Sequence, residues 1–219
     1  MTVRTTRSLY PVTALLMLLL AGCSTIKPIP LPEGLTDQPP ADWDQRTEQL
    51  SQLDHWQLSG KIAVRQPEDS GSGVINRWLQ EGDYYELDLS SAFLGLGHTQ
   101  LRGQPNFLEL RLSNGEVYRS LQPEDLLAAA TGWRLPLHSL PWWIRGLTNP
   151  ASEAETLFDD QGQLALIRQD GWEIHYNRWR DAVPNLPSLP ALISASKDDR
   201  LVRVAVIEWE PMDSTDAEP

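Results

Sequence analysis

The sequence predicts a mainly β (α+β) domain: a curled antiparallel sheet of about ten to eleven strands, with helices over its open side. Three observations predict it. Apolar side chains alternate with polar ones in segment after segment between Trp56 and Trp209, the period of a half-buried strand. The connections between most of these segments are short, which makes neighbouring strands antiparallel. Helical spacing and helix punctuation occur only ahead of the first strand and once in the middle. A sheet of this length curls, so the expected product is a half-barrel enclosing an apolar space.

Residues 41–55 read as an amphipathic helix, with Leu50 and Leu53 three apart and Trp43 and Thr47 behind them. The period then switches to two. In 56–65, Trp56, Leu58, Ile62 and Val64 share one face. Strands follow at 73–80, 84–90, 98–102 and 107–113. In the last of these Leu108, Leu110 and Leu112 alternate with Glu109 and Arg111. Asn114-Gly115 is a tight-turn signal leading into a strand at 116–120. Pro123, Glu124 and Asp125 suit the start of a helix running to Thr131, with Gly132 at its end. A second short helix is expected at 139–145, stopped by Gly146. Strands resume at 163–169, 172–179, 189–196 and 201–209, the last two joined by a turn at 197–200.

The flanks read differently. Arg4 and Arg7 precede an apolar run from Leu9 to Leu20, followed by Ala21, Gly22 and Cys23. This is an export signal over 1–22, too short to span a bilayer comfortably. The Leu20-Ala21-Gly22-Cys23 end resembles the lipobox of bacterial lipoproteins. That likeness implies a diacylglycerol group on the Cys23 thiol and an acyl group on its amine. Two buried chains already anchor a protein stably. In Gram-negative sorting, Ser24 in place of Asp points to the outer membrane. Residues 23–40 form a lipidated start and a proline-rich tether, 41–210 the folded domain, and 211–219 an acidic tail.

Composition excludes several functions. Cys23 is the one cysteine of the 219-residue chain, so once lipidated it leaves no thiol for a disulfide, redox motif or zinc site. Loss of Arg4 and Arg7 with the signal takes the net charge from −12 to −14. Such a surface repels nucleic acid and anionic headgroups, and it can steer a basic partner. The four histidines show no metal-ligand spacing, and no cofactor or metal is expected. Ser194 to Lys197 matches S-x-x-K, but S-D-N and K-T-G are missing and the match falls at a strand end. It reads as chance, and no enzyme is expected.

The aromatic residues say more. Nine tryptophans all fall after the signal. Core packing accounts for several of them. Trp142 and Trp143 are adjacent, so on a helix they point about 100° apart, and one of them is free to face a cavity or a lid seam. Ser91 to Gly97 joins two strands where polar turn residues are usual, yet it holds Phe93, Leu94 and Leu96 among glycines. A buried strand end is one reading. An exposed apolar loop that contacts a membrane or partner is the other.

Four stretches together resemble the LolB family of outer-membrane lipoproteins. They are the lipobox, the strand 56–65, the apolar loop 91–97, and the run Thr131 to Leu147 with its pattern T-G-x-x-x-P-L-x-x-L-x-x-W-I-x-G-L. The resemblance spans most of 43–209. It implies an incomplete barrel with a helical lid over an apolar cavity for acyl chains. It also implies a monomeric receptor, lipid-anchored to the periplasmic leaflet of the outer membrane. Such a receptor accepts lipoproteins from the periplasmic carrier LolA and inserts them into that membrane. On this reading the cavity and lid candidates are Trp56, Trp133, Leu140, Trp142, Trp143 and Ile144. The membrane-inserting apolar tip comprises Phe93, Leu94 and Leu96. Both Leu94-Gly95 and Leu96-Gly97 fit the family loop, although its proline is missing here. Leu96 is preferred because Gly97-His98-Thr99 continues the strand match. Two alternatives are a general binder of hydrophobic ligands without cargo transfer and an envelope enzyme using the serine of the S-x-x-K match, Ser194.

Overall fold

Eleven strands make up the sheet, and their order explains where everything else must go. The computed structural model describes residues 31–67, 70–91 and 97–212. The signal, Cys23, residues 92–96 with Phe93, Leu94 and Leu96, and the tail from 213 onward lie outside the described residues. So do the tether residues up to 30. The described residues from Glu33 on belong to one compact unit.

The elements run α1 (Trp43–Ser51), β1 (His55–Arg65), β2 (Ser70–Glu81), β3 (Tyr84–Ser91), β4 (Gly97–Gln104), β5 (Phe107–Arg111) and β6 (Val117–Ser120). Then come α2 (Pro123–Thr131), α3 (Leu140–Trp143), β7 (Ala154–Phe158), β8 (Leu164–Gln169), β9 (Trp172–Arg180), β10 (Leu189–Lys197) and β11 (Arg200–Pro211). They form one open antiparallel sheet in the order β6-β5-β4-β3-β2-β1-β11-β10-β9-β8-β7. The first and last strands pair in the middle, with Ile62 opposite Val204. Strand β1 shows the expected alternation, Trp56, Leu58, Ile62 and Val64 being buried while Lys61, Ala63 and Arg65 are exposed.

β6 and β7 follow one another in the chain yet occupy opposite edges of the sheet. The connection 121–153 therefore has to cross a face. It crosses the apolar one. Leu127, Trp133, Leu135, Leu137, Leu140, Trp143, Ile144 and Leu147 join the strand side chains in a single buried cluster. Each large apolar side chain so buried contributes about 1.5–3 kcal/mol. The lid is thus a consequence of strand order combined with an apolar face.

Most boundaries differ from the sequence expectation by one to three residues, and three departures are larger. The first helix spans Trp43–Ser51, shorter than 41–55. His55 is drawn into the sheet, where it pairs with Glu81, and the Asp54 carbonyl accepts from Gly82 N. Strand β7 has no counterpart among the strands read from the sequence. Its register shifts between Leu157 and Phe158 and both are buried, so period two fails there. Thr36, assigned to the tether, pairs with Phe158 through two backbone hydrogen bonds of 2.8 and 2.9 Å. It covers the β7 edge, the usual protection for an edge strand.

Candidate functional site

The lid is held by a connected set of buried polar groups. Trp143 Nε1 donates to Gln169 Oε1 at 2.9 Å, and Asn149 N donates to the same oxygen at 2.9 Å. Gln169 Nε2 donates to the carbonyls of Asn149 and Ser152. Asn149 Nδ2 reaches Ser139 Oγ at 3.2 Å. Tyr176, whose hydroxyl burial holds well above its ordinary range, donates to the Trp143 carbonyl at 2.9 Å. Fully satisfied networks of this kind are rigid, and each partner removed leaves another unpaired. At the far end Gln66 Nε2 donates to the Gly132 carbonyl at 2.8 Å and its Oε1 accepts from Arg134 N.

Arg145 ties the lid to α1. Its Nη1 donates to the Leu53 carbonyl at 2.7 Å, its Nε to Pro141 O at 3.0 Å, and its guanidinium stacks over Trp142 at 4.9 Å. Carbonyls at a helix C-terminus are natural partners for a cation. Burial lowers its pKa to about 10, partly opposed by Asp54. Gly146, at φ +82°, lets the chain turn directly behind it. His138 Nδ1 lies 2.6 Å from Glu124 Oε1, linking the approach to α3 with α2.

The six cavity and lid candidates gather in one cluster. Trp56, Trp143 and Ile144 are fully buried, and Trp133 and Leu140 nearly so. They fill the space between lid and sheet with side chains. Trp56 packs against Trp78 at 5.4 Å and Trp209 at 5.2 Å. Trp142 is half-buried and lines two open clefts. One, of about 460 Å³, lies between the β2–β3 and β4–β5 turns and the lid. The other, of about 520 Å³, lies against α1. Adjacent helix positions thus send one ring into the core and the other to the clefts.

Gln169, Asn149, Arg145, Tyr176 and Tyr85 take part in this region without having been singled out from the sequence. Gln169 had a usable signal: it ends a strand whose inward positions are otherwise Leu and Ile, so its polar side chain needs partners. Ser194 and Lys197 have different partners, Ser194 Oγ donating to Asn177 Oδ1 and Lys197 Nζ to the Asp170 carbonyl. Three apart on a strand, they face opposite sides. Among the described residues no three His, Cys, Asp or Glu side chains gather as a metal site.

A family profile described as "Outer membrane lipoprotein LolB" matches residues 54–209, from the start of β1 to the end of the sheet. The chain belongs to the LolB family. The Outer-membrane lipoprotein LolB of Marinobacter nauticus is 56% identical over 200 residues, covering 91% of this chain and 96% of that one. The LolB of Pseudomonas syringae pv. syringae is 38% identical over 196 residues, covering 90% and 93%. A crystal structure of a LolA superfamily protein from Nitrosomonas europaea superposes with a TM-score of 0.46 at 8% identity, covering 78% of this chain and 93% of that chain. The residues matched to the LolB family include the whole lid and both strands that meet at the centre of the sheet.

Proposed function

We propose that this LolB-family protein is a lipid-anchored receptor of the outer membrane. It accepts lipoproteins from the periplasmic carrier LolA, holds their acyl chains beneath the helical lid, and inserts them into the membrane. The observation that carries this reading is the lid itself: a tied helical segment laid across an apolar, tryptophan-rich face, in a chain of the LolB family. With Trp56, Trp143 and Ile144 closed off from solvent, acyl chains enter by displacing lid side chains. Occupancy therefore sets chain burial against the lid's packing and hydrogen bonds.

Burying a long acyl chain is worth on the order of 10 kcal/mol, at ~0.8 kcal/mol per CH₂. The chains cannot cross an aqueous space bare. Transfer runs from the carrier to this protein and on to the bilayer by increasing affinity, without ATP. The diacylglyceryl and N-acyl groups on Cys23 keep the domain at the periplasmic leaflet. Phe93, Leu94 and Leu96 lower the barrier to release by entering the bilayer, Leu96 foremost. The net acidic surface suits a basic rim on the carrier. In this reading the protein works as a monomer and performs no covalent chemistry.

The test uses the mature chain with Cys23→Ala, mixed with LolA loaded with radiolabelled lipoprotein. Label moving onto this protein and then into added liposomes is the expected result. Label remaining on a carrier from the same organism, with this domain folded, sinks the receptor reading and leaves a plain binder of hydrophobic ligands. Leu96→Glu is expected to accept label but retain it. Normal release by that variant removes the loop from the mechanism.

A further inference from the structure

The 460 Å³ cleft beside Trp142 and Arg145 holds hydrogen-bonding capacity that the protein itself leaves unused. Gln80 and Tyr85 line it, and they are neighbours in a cross-strand row whose outer members, Trp56 and Gly103, lie behind the cleft wall. Trp56 pairs with Gln80, Gln80 with Tyr85, and Tyr85 with Gly103. Trp56, Gln80 and Tyr85 are all buried. Gln80 is spent: it accepts from Trp78 Nε1 at 3.3 Å and donates to the Gly82 carbonyl at 2.7 Å. The Tyr85 hydroxyl and Trp56 Nε1 are buried with no partner among the described residues. Tyr85 lies across Gly103, where a Cβ would sit 2.5 Å from its hydroxyl oxygen, so the glycine keeps room for the phenol. Arg145 is a buried residue that lines the cleft; it bonds through Nε and Nη1, while its Nη2, which is not one of the enclosed unpartnered atoms, makes no hydrogen bond among the described residues.

Buried polar atoms without partners are few in native proteins, and each calls for an explanation. Of the groups that line the cleft, the Tyr85 phenol and the Arg145 guanidinium share a chemistry: the guanidinium nitrogen is a donor only, and the phenol can donate. Their complement is a hydrogen-bond acceptor. Asp83, Glu124 and Asp125 line the same cleft and oppose an anion such as phosphate. The complement is therefore neutral: an ester or amide carbonyl.

We propose that this cleft is the binding site for the ester and amide carbonyls at the head of an acylated ligand. The Tyr85 hydroxyl and Arg145 Nη2 are the donors, and the acyl chains run from there beneath the lid. The inference rests on the receptor reading and adds a polar subsite to it.

The experiment compares two probes on the mature chain with Cys23→Ala, titrated by tryptophan fluorescence. One is a tripalmitoylated cysteinyl peptide with its two ester linkages. The other is the same peptide with both esters replaced by ethers. The ester form is expected to bind about fivefold more tightly, the effect of one or two hydrogen bonds. Tyr85→Phe is expected to lose most of that preference while unfolding at the same temperature or higher, because the hydroxyl it removes has no partner in the ligand-free protein. Equal binding of the two probes by the unsubstituted protein overturns the subsite and leaves the receptor reading standing. An ester preference that survives Tyr85→Phe overturns the role given to Tyr85. Failure to bind either probe overturns the receptor reading and the subsite with it.

Discussion

Gln169 is the residue on which the lid's attachment most depends. Its amide oxygen serves Trp143 and Asn149, and its nitrogen serves two backbone carbonyls. Gln169→Leu keeps the volume but leaves several buried groups unpaired, at ~1–3 kcal/mol each. The expected loss is roughly 3 kcal/mol, read from urea unfolding; a loss under about 1 kcal/mol means that the network is not what holds Trp143. Gly146 is a second sensitive position. Alanine there must adopt φ +82°, with its Cβ 2.7 Å from the Trp179 ring that stacks on Tyr176 at 5.1 Å. About 1–3 kcal/mol of destabilisation is expected. A stability equal to the parent's in thermal melts would show that the ring gives way freely.

At the scale of elements, α2 and the approach to α3 are joined by His138 and Glu124. The hydrogen bond to Glu124 raises the His138 pKa, burial opposes it, and Asp170 adds to the rise. A raised histidine stabilises the folded state fully below its unfolded value near ~6.5 and loses that contribution as pH climbs through the folded value. The lid should therefore be tightest in mildly acidic buffer and loosen toward alkaline pH. His138→Gln should flatten this part of the profile. The check is the melting-temperature difference between parent and variant from about pH 5.5 to 8.5. A difference that stays constant or grows with pH excludes the switch.

For the whole molecule the decisive feature is that β1 and β11 meet in the centre. In the strand order, the two halves of the sheet, β6–β2 and β10–β7, meet at this pair. Removing residues from Arg200 onward deletes β11 and leaves β1 and β10 each with an unpaired side. Such a truncation should lose cooperative unfolding in circular dichroism melts, and a sharp transition would mean that either half is stable alone. Contacts between chain ends also make folding slow, because loop closure precedes any gain from the pairing. The lid, by contrast, belongs to neither half. It can shift without disturbing a strand ladder, as a site that admits and releases acyl chains requires.

Much of this was legible in the residues. Period two along β1 and β5, the strands β9 to β11, the Asn114-Gly115 turn, and the Pro123 and Gly132 boundaries of α2 follow from local chemistry, and each lies within a few residues of the expectation. The run Thr131 to Leu147 carried the family likeness, because adjacent tryptophans, prolines and glycines specify a lid's turns by themselves. Strand β7 escaped, since its consecutive buried residues Leu157 and Phe158 break the alternation and only pairing with β8 and Thr36 makes it a strand. The partners of Arg145, Gln169 and Tyr176, and the missing partners of Tyr85 and Trp56, belong to the tertiary structure alone. Each depends on chain segments dozens of residues apart, and a hydrogen bond exists only where both ends arrive. By itself, the sequence determined the strand period, the lid's composition and the family. The tertiary structure decided which face the lid covers, because that depends on strand order, and which buried polar groups find a partner, because both ends of a hydrogen bond must be brought together.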